Sequence, residues 1–345
     1  MKTKILYLNE DSYDNGKKSG EYFKEIIKEN IQYYKEKLNN KEYKDKVIRL
    51  SNKLQNEYPK YYEEIRGKAD GANVNFIEYF AMMCPELSKL KSHCTTIMCR
   101  NSNQRFIISH NEDDNYEEGN FCISKVKTSD GWFTTNDIWN MPFGNGFSWN
   151  SYGIIKTINY THDTNMNLDN LSRYFSQRHI SEANSIEDLI KRCNELRPAS
   201  GYHVNAIDIR NNIAVSIEVY ADDVDVEYVD DFYIHSNHYI HGKYKDDIQM
   251  DEGSNSVYRL KKANELYKEL DDINIASIKN ILDYRSLEDK FETSIFQTEK
   301  DPYITGMNFS FNNDLNEEIK IYIYPNKEII SLDYELNNIP IVEKF

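Results

Sequence analysis

Residues 93–113 read HCTTIMCRNSNQRFIISHNED, and at this stretch the pattern of the chain changes. Residues 95–99 combine β-branched and apolar side chains, which predicts a strand. The polar cluster 101–104 predicts a turn, and residues 105–109 predict a second strand. The sequence therefore predicts an antiparallel hairpin at this point.

The hairpin is expected to bring a thiol and a carboxylate together. In a tight hairpin, the numbers of two facing residues add up to about twice the centre of the turn, here roughly 205 to 207. Cys94 and Asp113 meet this condition, so we expect Asp113 to lie beside Cys94 at one end of the sheet. On this geometry alone, a buried cysteine near a solvated loop aspartate stays open as the alternative.

The chain before the hairpin has a helical pattern. Apolar residues recur at helical spacing over 19–38 and again over 42–68, among lysines and glutamates. Residues 69–71, Ala-Asp-Gly, are a stop signal, and a third helix is predicted over 75–83, before Pro85. We therefore expect a helical prefix.

Strand-like runs dominate after the hairpin, with helical patterns between them. Strands are predicted over 121–127, 152–159, 202–209, 212–220, 224–229, 231–236, 305–311, 318–324 and 328–334. Helices are predicted near 168–179, 185–196, 255–269 and 275–284. Tight turns link several of the strands, which implies antiparallel sheets with the helices outside them, an α+β layered fold.

The composition limits the functions that the chain can have. Its 42 Lys and Arg against 57 Asp and Glu give a formal net charge of −15, which repels phosphate backbones and anionic membranes. No apolar run approaches the roughly 18 residues of a spanning helix, and the apolar stretch 5–8 is too short for a signal peptide. We therefore expect a cytoplasmic protein with no nucleic-acid or membrane partner.

The cysteines indicate free thiols rather than a disulfide framework or a zinc site. There are five of them, with no CxxC pair and no zinc spacing: Cys84, Cys94, Cys99, Cys122 and Cys193. Residues 111–115, NEDDN, alternate oxygen ligands like the start of a calcium loop, but the glycine and the glutamate of such a loop are missing. We expect no metal and no cofactor.

Cys94-Thr95-Thr96, followed by Asn111-Glu112-Asp113 at the end of the next strand, resembles a family of N-terminal-nucleophile (Ntn) hydrolases, the isopenicillin-N acyltransferases. Further motifs fit that family in order along residues 58–325. They are 58–67 with 69–72, Asn150-Ser151-Tyr152-Gly153 leading to Asn159-Tyr160, His235-Ser236-Asn237-His238, and Ser256-Val257-Tyr258-Arg259. Each motif is short, and their common order carries the resemblance.

The resemblance implies a four-layer αββα sandwich of two antiparallel sheets, preceded by a helical pro-region. Residues 1–93 would form the pro-region and residues 94–345 the catalytic domain. A precursor of this family cuts its own chain before the nucleophile, here between His93 and Cys94. The product would be an α/β heterodimer with Cys94 at a new N-terminus, and it could assemble further into a homo-oligomer.

The resemblance also implies roles for individual residues. Cys94 would be the nucleophile, its freed α-amine would take the thiol proton, and Asp113 would hold that amine. Asn237 would donate to the oxyanion, with the backbone around Asn159-Tyr160 as the second donor. Arg259 would pair with Asp113 or lie near the thiolate. The structural alternatives are a solvated turn carboxylate, a strand-end asparagine and a helix-surface arginine.

Three positions depart from the pattern of the family. His93 stands where the acyltransferase has glycine, His110 where relatives often have arginine or glutamine, and Glu112 where they have an aromatic residue. These departures bear on the substrate and on the rate of self-cleavage more than on the nucleophile. His110 and Asn111 are further candidates for binding the oxyanion or the substrate.

The predicted function is that of a self-processing amidohydrolase, which cleaves the C–N bond of a small linear amide through an acyl-enzyme. Acyl transfer would need a second pocket that the sequence does not identify, whereas water is always present, so hydrolysis is the first choice. The alternatives are an acyltransferase and an uncleaved, non-catalytic binding protein of the same fold. The expected partner is a small amide substrate.

Overall fold

The helical prefix forms six helices and, before them, one short strand. The computed structural model describes residues 4–88, 93–114, 120–161, 165–246, 254–313, 318–324, 327–338 and 341–344. The elements of the first range are β1 (Ile5–Leu8), α1 (Ser12–Tyr22), α2 (Lys24–Lys37), α3 (Lys41–Glu57), α4 (Pro59–Ala72), α5 (Phe76–Met82) and α6 (Pro85–Ser88). The helical stretches are confirmed, whereas the sequence pattern did not predict β1.

Local signals divide the two long helical stretches into shorter helices. The stretch 19–38 is broken at Phe23, which ends α1 and precedes α2. The stretch 42–68 is broken before Pro59, because proline lacks the N–H that a continuing helix needs and is tolerated in a first turn. Helix α4 ends at Asn73, whose φ of 57° is the left-handed conformation that closes many helices.

Helices α1 and α4 pack with their backbones in contact. Gly16 and Gly20 of α1 lie against α4, and Gly67 and Gly71 of α4 lie against α1. A Cβ atom at Gly67 would lie only 2.0 Å from the carbonyl oxygen of Tyr13. The prefix therefore contains a helix pair whose separation is set by glycine.

The body of the chain consists of two sheets with helices around them. Its strands are β2 (His93–Arg100), β3 (Phe106–Asp114), β4 (Phe121–Lys127), β5 (Trp132–Ile138), β6 (Phe147–Asn150), β7 (Ile154–Tyr160), β8 (Tyr202–Asp208), β9 (Ile213–Val219), β10 (Val224–Tyr228), β11 (Phe232–His235), β12 (Ile304–Asn312), β13 (Glu318–Ile323), β14 (Glu328–Asp333) and β15 (Ile341–Lys344). Its helices are α7 (Arg173–Ile180), α8 (Ile186–Glu195), α9 (Ser256–Lys268), α10 (Ile275–Leu282) and a 3-10 turn (Phe291–Thr293). Strands β5, β6 and β15 were not predicted.

The two sheets have different strand orders. The first sheet runs β1-β4-β5-β6-β7-β8-β9-β10, and the second runs β11-β2-β3-β12-β13-β14-β15. In the described residues, neighbouring strands pair antiparallel except for β1 with β4, which are parallel. The prefix thus contributes an edge strand to the first sheet, which the division into a helical pro-region and a separate domain did not anticipate.

Apolar side chains fill the space between the two sheets. Phe147 of the first sheet stacks on Phe309 of the second, with ring centroids 4.5 Å apart, in a core that also contains Met98 and Trp149. Helices α7 and α8 cover the outer face of the first sheet, and α9 and α10 cover that of the second. The predicted four-layer αββα sandwich is therefore confirmed.

Three buried ion pairs join the prefix to the first sheet and to α7. They are Lys68–Asp137 (2.8 Å), Glu64–Arg178 (2.8 Å) and Glu86–Arg173 (3.4 Å). Removing one partner of such a pair leaves an uncompensated buried charge, which typically costs about 3–5 kcal/mol. The prefix is therefore held to the body by charge as well as by apolar contact.

The helices of the body differ in how much of their surface is buried: α7 buries seven of its eight residues, whereas others are amphipathic. Helix α8, for example, buries Ile186, Leu189 and Cys193 on one face and is acidic in its first turn. Across the parts of the chain that the structure describes, we find no helix whose length and apolar character would let it cross a membrane.

Candidate active site

The predicted hairpin forms, and it pairs Cys94 with Glu112 rather than with Asp113. Asp113 lies opposite His93. The loop between the last paired residues comprises 101–105, which is an odd number of residues. Its centre is therefore a single residue rather than the bond between two residues. The predicted partner of Cys94 was therefore wrong by one position.

One position of register decides the face of the sheet, because successive side chains of a strand point to opposite sides. Cys94 and Glu112 face the first sheet, as does Thr96, which donates to β7 of that sheet. Asp113 belongs to the other face, on which Arg259 of α9 lies. Cys94 and Asp113 thus lie at the same end of the second sheet with their side chains on opposite faces.

The thiol of Cys94 is buried and protonated at neutral pH. The residue is 1% exposed, and Sγ lies 3.4 Å from Oε1 of Glu112. Burial raises the pKa of the thiol well above its ordinary value, the charges of Glu112 and Asp113 raise it further, and a hydrogen bond to the backbone of Tyr160 lowers it. The sulfur therefore needs a proton acceptor before it can act as a nucleophile.

Glu112 links the thiol to a chain of polar side chains that crosses to the first sheet. Its Oε2 lies 2.7 Å from Nε2 of His110, and Nδ1 of His110 lies 2.7 Å from Oγ1 of Thr96. Oγ1 of Thr96 in turn lies 2.8 Å from Oδ1 of Asn159. The candidates His110 and Asn159 therefore lie in one network with the thiol.

The geometry argues against a metal ion at this end of the sheet. Ligand atoms of Cys94, His110 and Glu112 lie within 4.8 Å of one another. However, the 2.7 Å contact between Glu112 and His110 is shorter than the separation of about 3.3 Å that two ligands of a tetrahedral zinc ion would have. The calcium pattern fails because residues 111–114 form a strand with alternating faces, and Asn115 lies outside the described residues. The absence of a metal stays a prediction.

Arg259 is fully buried and holds the backbone next to the nucleophile, so it is not a helix-surface arginine. Its contacts run from Nη1 to Cys94 O (2.6 Å) and Thr95 Oγ1 (2.6 Å), from Nη2 to Asn237 Oδ1 (2.5 Å), and from Nε to Asn255 Oδ1 (2.7 Å). Burial lowers the pKa of Arg259, while its electrostatic interactions with Asp113 and Cys94 raise it. The guanidinium thus lies close enough to interact with both predicted partners.

Asn237 holds the backbone nitrogen of Cys94. Its Oδ1 accepts from that N–H at 3.1 Å and also from Arg259, which fixes the orientation of the amide group. Its Nδ2 then donates to the carbonyl oxygen of Tyr160 at 2.8 Å. In the intact chain, the N–H group that we predicted as an oxyanion donor therefore already has an acceptor.

Asp113 is completely buried, which excludes the solvated turn carboxylate. Its Oδ1 accepts from Oγ1 of Thr305 at 2.7 Å, whereas its Oδ2 meets no donor within the described ranges. Burial raises the pKa of Asp113 to about 6, although Arg259 and Thr305 lower it. Because a buried acceptor without a donor is costly, Oδ2 marks a place for a donor that the described residues of the intact chain do not supply.

We expect Asp113 to titrate near pH 6, above the range of exposed aspartates. Thr305→Val removes a donor that stabilises the charged form, so it should move the midpoint to higher pH. The measurement is a carbon-13 NMR titration of aspartate-labelled protein in a Cys94→Ala background, which is expected to keep the chain intact, with Asp113→Asn to assign the signal. A midpoint near 4, or an unchanged midpoint in Thr305→Val, would contradict this account of the site.

Two of the remaining predicted residues have structural contacts. The ring of His93 lies against Tyr303 with centroids 3.9 Å apart. Nδ2 of Asn111 donates to the backbone of Leu282 in α10, and its Oδ1 accepts from Asn308. Asn111 therefore contacts the helical layer, and the structure does not bring it to the thiol.

A cavity of about 30 Å³ lies next to the thiol. Cys94 and Glu112 line it together with Tyr160, Arg173 and Tyr174, among others. A space of this size holds about one water molecule and excludes an amide substrate. Substrate binding therefore requires the intact chain to open at this point.

The sequence reasoning missed several residues of the site. Glu112 was noted only as a departure from the family, and Arg173, Asn255 and Thr305 were not singled out. Asn255 precedes Arg259 by one helical turn, and this spacing is a signal that could have identified it. Arg173 and Thr305 lie far from Cys94 in sequence, and no local pattern marks them.

A second group of polar side chains lies on β9 and β10 and on the chain after β11. Ser216 Oγ lies 2.9 Å from Nε2 of His241, whose Nδ1 lies 2.6 Å from Oδ1 of Asp225. This is the order of a serine-nucleophile triad. However, Ser216 is fully buried, and its hydroxyl also contacts Nε2 of His203 at 2.7 Å. Because the hydroxyl lies between two imidazoles, we interpret this group of polar side chains as structural.

Comparison with family models places the chain among known proteins. The model of the acyl-coenzyme A:6-aminopenicillanic acid acyl-transferase family matches residues 99–303. The chain belongs to this family. The matched range includes Asp113, Asn237 and Arg259, and it begins after Cys94. The protein is thus a member of the Ntn-hydrolase superfamily, whose enzymes include hydrolases and acyltransferases.

Solved structures and curated proteins add little to the family match. The chain is similar to a Caenorhabditis elegans ortholog of N-acylethanolamine-hydrolyzing acid amidase, with 12% identity and a TM-score of 0.44 over 64% of this chain and 94% of that chain. A search of curated proteins found no match.

Proposed function

We propose that this member of the acyltransferase family is a self-processing cysteine amidohydrolase, which cleaves the C–N bond of a small linear amide through an acyl-enzyme on Cys94. One observation carries the proposal, namely the way the peptide groups of Cys94 are held. Its N–H donates to Asn237 at 3.1 Å and its carbonyl oxygen accepts from Arg259 at 2.6 Å. A packing cysteine needs no such buried, charged support.

The bond that we propose to be cut joins His93 to Cys94. Cleavage turns the amide nitrogen of Cys94 into an amine, which carries additional N–H groups in a buried place. Asn237 Oδ1 already accepts the N–H of Cys94, and Asp113 Oδ2 is a buried acceptor to which no described residue donates. We assign this second oxygen to the new α-ammonium group.

The freed amine supplies the base for turnover. An α-amine has a pKa of about 7.7–8.0, so part of it is unprotonated near neutral pH and can take the proton of Sγ. Sγ of Cys94 attacks the carbonyl carbon of the substrate, a C–S bond forms, and the C–N bond breaks as the ammonium proton moves to the leaving nitrogen. Water then takes the acyl group and restores the thiol.

Two donors near Cys94 are suited to the oxyanion that forms in this attack. One is Nδ2 of Asn237, which exchanges its bond to Tyr160 O for a bond to the substrate. The other is the backbone of Tyr160, whose hydrogen bond to the thiol lowers the pKa of Cys94. Loss of one oxyanion donor typically lowers the rate by about 10²–10³.

We propose that the prefix, residues 1–93, stays bound after cleavage as one piece of an α/β heterodimer. The ion pairs Lys68–Asp137 and Glu64–Arg178 are buried on both sides, and strand β1 lies at the edge of the first sheet. The cavity of about 30 Å³ beside Cys94 supports a zymogen-like intact chain, which admits substrate only after cleavage.

Acyl transfer is the second candidate reaction, and the name of the matched acyl-transferase family favours it. An acyl-enzyme on Cys94 is common to both reactions, and they differ in whether water or an amine takes the acyl group. Incubation with an amide substrate and an excess of glycine distinguishes them. Free acid as the product supports hydrolysis, and N-acylglycine supports transfer.

Mass spectrometry of the purified full-length chain tests the proposal. We expect two masses, with a first piece that ends at His93 and a second that begins at Cys94, eluting together from a size-exclusion column. The cleaved protein should release acid from a panel of linear N-acyl amides. A single intact mass from a verified sample would favour the uncleaved binding protein, and two pieces without amidase activity would refute the proposed reaction.

A further inference from the structure

The α-amine of Cys94 cannot be the base for self-cleavage, because it forms only when the chain is cut. In the intact chain, the nitrogen of Cys94 is an amide, which donates its N–H to Asn237 and has no basic lone pair. The thiol is nevertheless protonated at neutral pH, because burial and two neighbouring carboxylates disfavour the thiolate. The first cut therefore needs a proton acceptor other than the group that the cut creates.

Glu112 is in the position that this step requires. It lies directly opposite Cys94 in the hairpin, and Sγ donates to its Oε1 at 3.4 Å. Its carboxylate and the thiol line the same cavity, which holds about one water molecule. Asp113 does not share this position, because its side chain lies on the opposite face of the sheet.

His110 fixes the orientation of the Glu112 carboxylate. Its Nε2 lies 2.7 Å from Glu112 Oε2, which leaves Oε1 for the thiol. Nδ1 of His110 lies 2.7 Å from Oγ1 of Thr96, so the ring is held at both nitrogens. Glu112, His110 and Thr96 are at most 8% exposed, so this hydrogen-bonded chain is shielded from bulk water.

We propose that Glu112 is the proton acceptor for the Cys94 thiol in self-cleavage, with His110 as the residue that positions it. The inference rests on the proposed self-processing. The proton of Sγ moves to Glu112 Oε1 as the sulfur attacks the carbonyl carbon of His93. The C–N bond to Cys94 then breaks, Glu112 returns the proton to the leaving nitrogen, and a thioester joins His93 to Sγ. Water hydrolyses the thioester, which leaves a carboxylate on His93 and a free thiol on Cys94.

Cleavage kinetics of the newly synthesised full-length chain test this role. The chain is made in a cell-free system, synthesis is stopped, and the loss of intact chain is followed over time at several pH values. Glu112→Gln keeps the size of the side chain but removes its basicity, so cleavage should slow by about 10² or more, the usual contribution of a general base. Asp114→Asn, on the same face of β3 and one pair further along, is the matched control and should cleave like the wild type.

The pH profile separates a proton acceptor from a structural residue. A base that belongs to the protein makes the wild-type rate reach a plateau instead of following the hydroxide concentration. In Glu112→Gln the remaining rate should instead rise about tenfold per pH unit, because hydroxide replaces the missing base. His110→Gln should lower the rate and keep the plateau of the wild-type profile, as expected of a positioning residue.

The outcomes distinguish this inference from the proposed function. A wild-type chain that never splits overturns self-processing and, with it, the role of Glu112. A wild-type chain that splits, with Glu112→Gln splitting equally fast, overturns the role of Glu112 alone. If Glu112→Gln does not fold, as judged by circular dichroism, Glu112→Asp decides. Slower cleavage with a wild-type pH profile supports the role, and an unchanged rate overturns it.

Discussion

Replacing Cys94 by alanine is expected to give an intact, inactive chain of 345 residues. Without Sγ there is no atom to attack the carbonyl of His93 or of a substrate, and both reactions proceed through a covalent intermediate in the proposed mechanism. The fold should survive, because the change removes one atom from the wall of a small cavity. Intact mass and amide turnover measure the two effects.

Cys99 provides the matched control for this variant. It lies on the same strand, is fully buried, and packs on the other face of the sheet against α9 and α10. Cys99→Ala should therefore cleave and turn over like the wild type. A Cys94→Ala chain that still splits after His93 would show that another nucleophile makes the cut.

Cys94→Ser extends the same test to the chemistry of the nucleophile. A hydroxyl is a much poorer nucleophile than a thiolate when its base has a pKa of about 8. We expect slow cleavage at best and loss of most amidase activity, measured by the same mass and turnover assays. Turnover at the wild-type rate would contradict attack by a thiolate.

The hairpin could be predicted from the sequence because its signals are local. Two apolar, β-branched runs flank a polar turn, and both strands formed where they were expected. Strand β5 could not be predicted in this way, since it buries the polar residues Thr134, Thr135, Asn136 and Asp137 in succession. Asp137 is satisfied by Lys68 and by Ser19, at sequence separations of 69 and 118 residues, and no local pattern reveals such partners.

The candidate site, too, could be predicted from the sequence only in part. Cys94 and Asp113 were singled out from the sequence, but the position of each side chain depended on the exact length of one loop. An error of a single residue exchanges Glu112 for Asp113 on the face of the thiol, because side chains alternate along a strand. The burial of Asp113 depends on α9 and β12, which join the site from distant parts of the chain.

Asp113→Asn is expected to lower amidase turnover while the fold survives. The variant keeps the size of the side chain and removes the negative charge, which we propose holds the α-ammonium of Cys94. A loss of about 1.4 kcal/mol of transition-state stabilisation already gives a tenfold decrease, so turnover should fall at least about tenfold. Asp114→Asn, at the next position and on the other face, is the control and should change turnover little.

The difference in stability between the chain with Asp113 and Asp113→Asn should depend on pH. The raised pKa of Asp113 fixes the direction of this dependence. The pKa is about 6 in the folded chain and about 3.9 in an unfolded one, so folding favours the protonated form. The stability from this group is complete below about pH 4 and is lost as the pH rises through 6, an effect on the order of 3 kcal/mol. The asparagine does not titrate, so the free energy of unfolding of the variant should rise relative to that of Asp113 between pH 4 and pH 7.

Urea unfolding in a Cys94→Ala background, where both chains stay intact, measures this difference at each pH. We expect turnover to be lost and the free energy of unfolding of Asp113→Asn to rise, relative to that of the chain with Asp113, as the pH rises. Both results together fit a carboxylate that is kept buried for its role at the nucleophile. A difference that stays flat with pH would mean that the folded pKa of Asp113 is not raised. Equal losses of turnover in Asp113→Asn and Asp114→Asn would mean that the charge on the helix-facing side of β3 does not act on Cys94, and that the α-ammonium is held elsewhere.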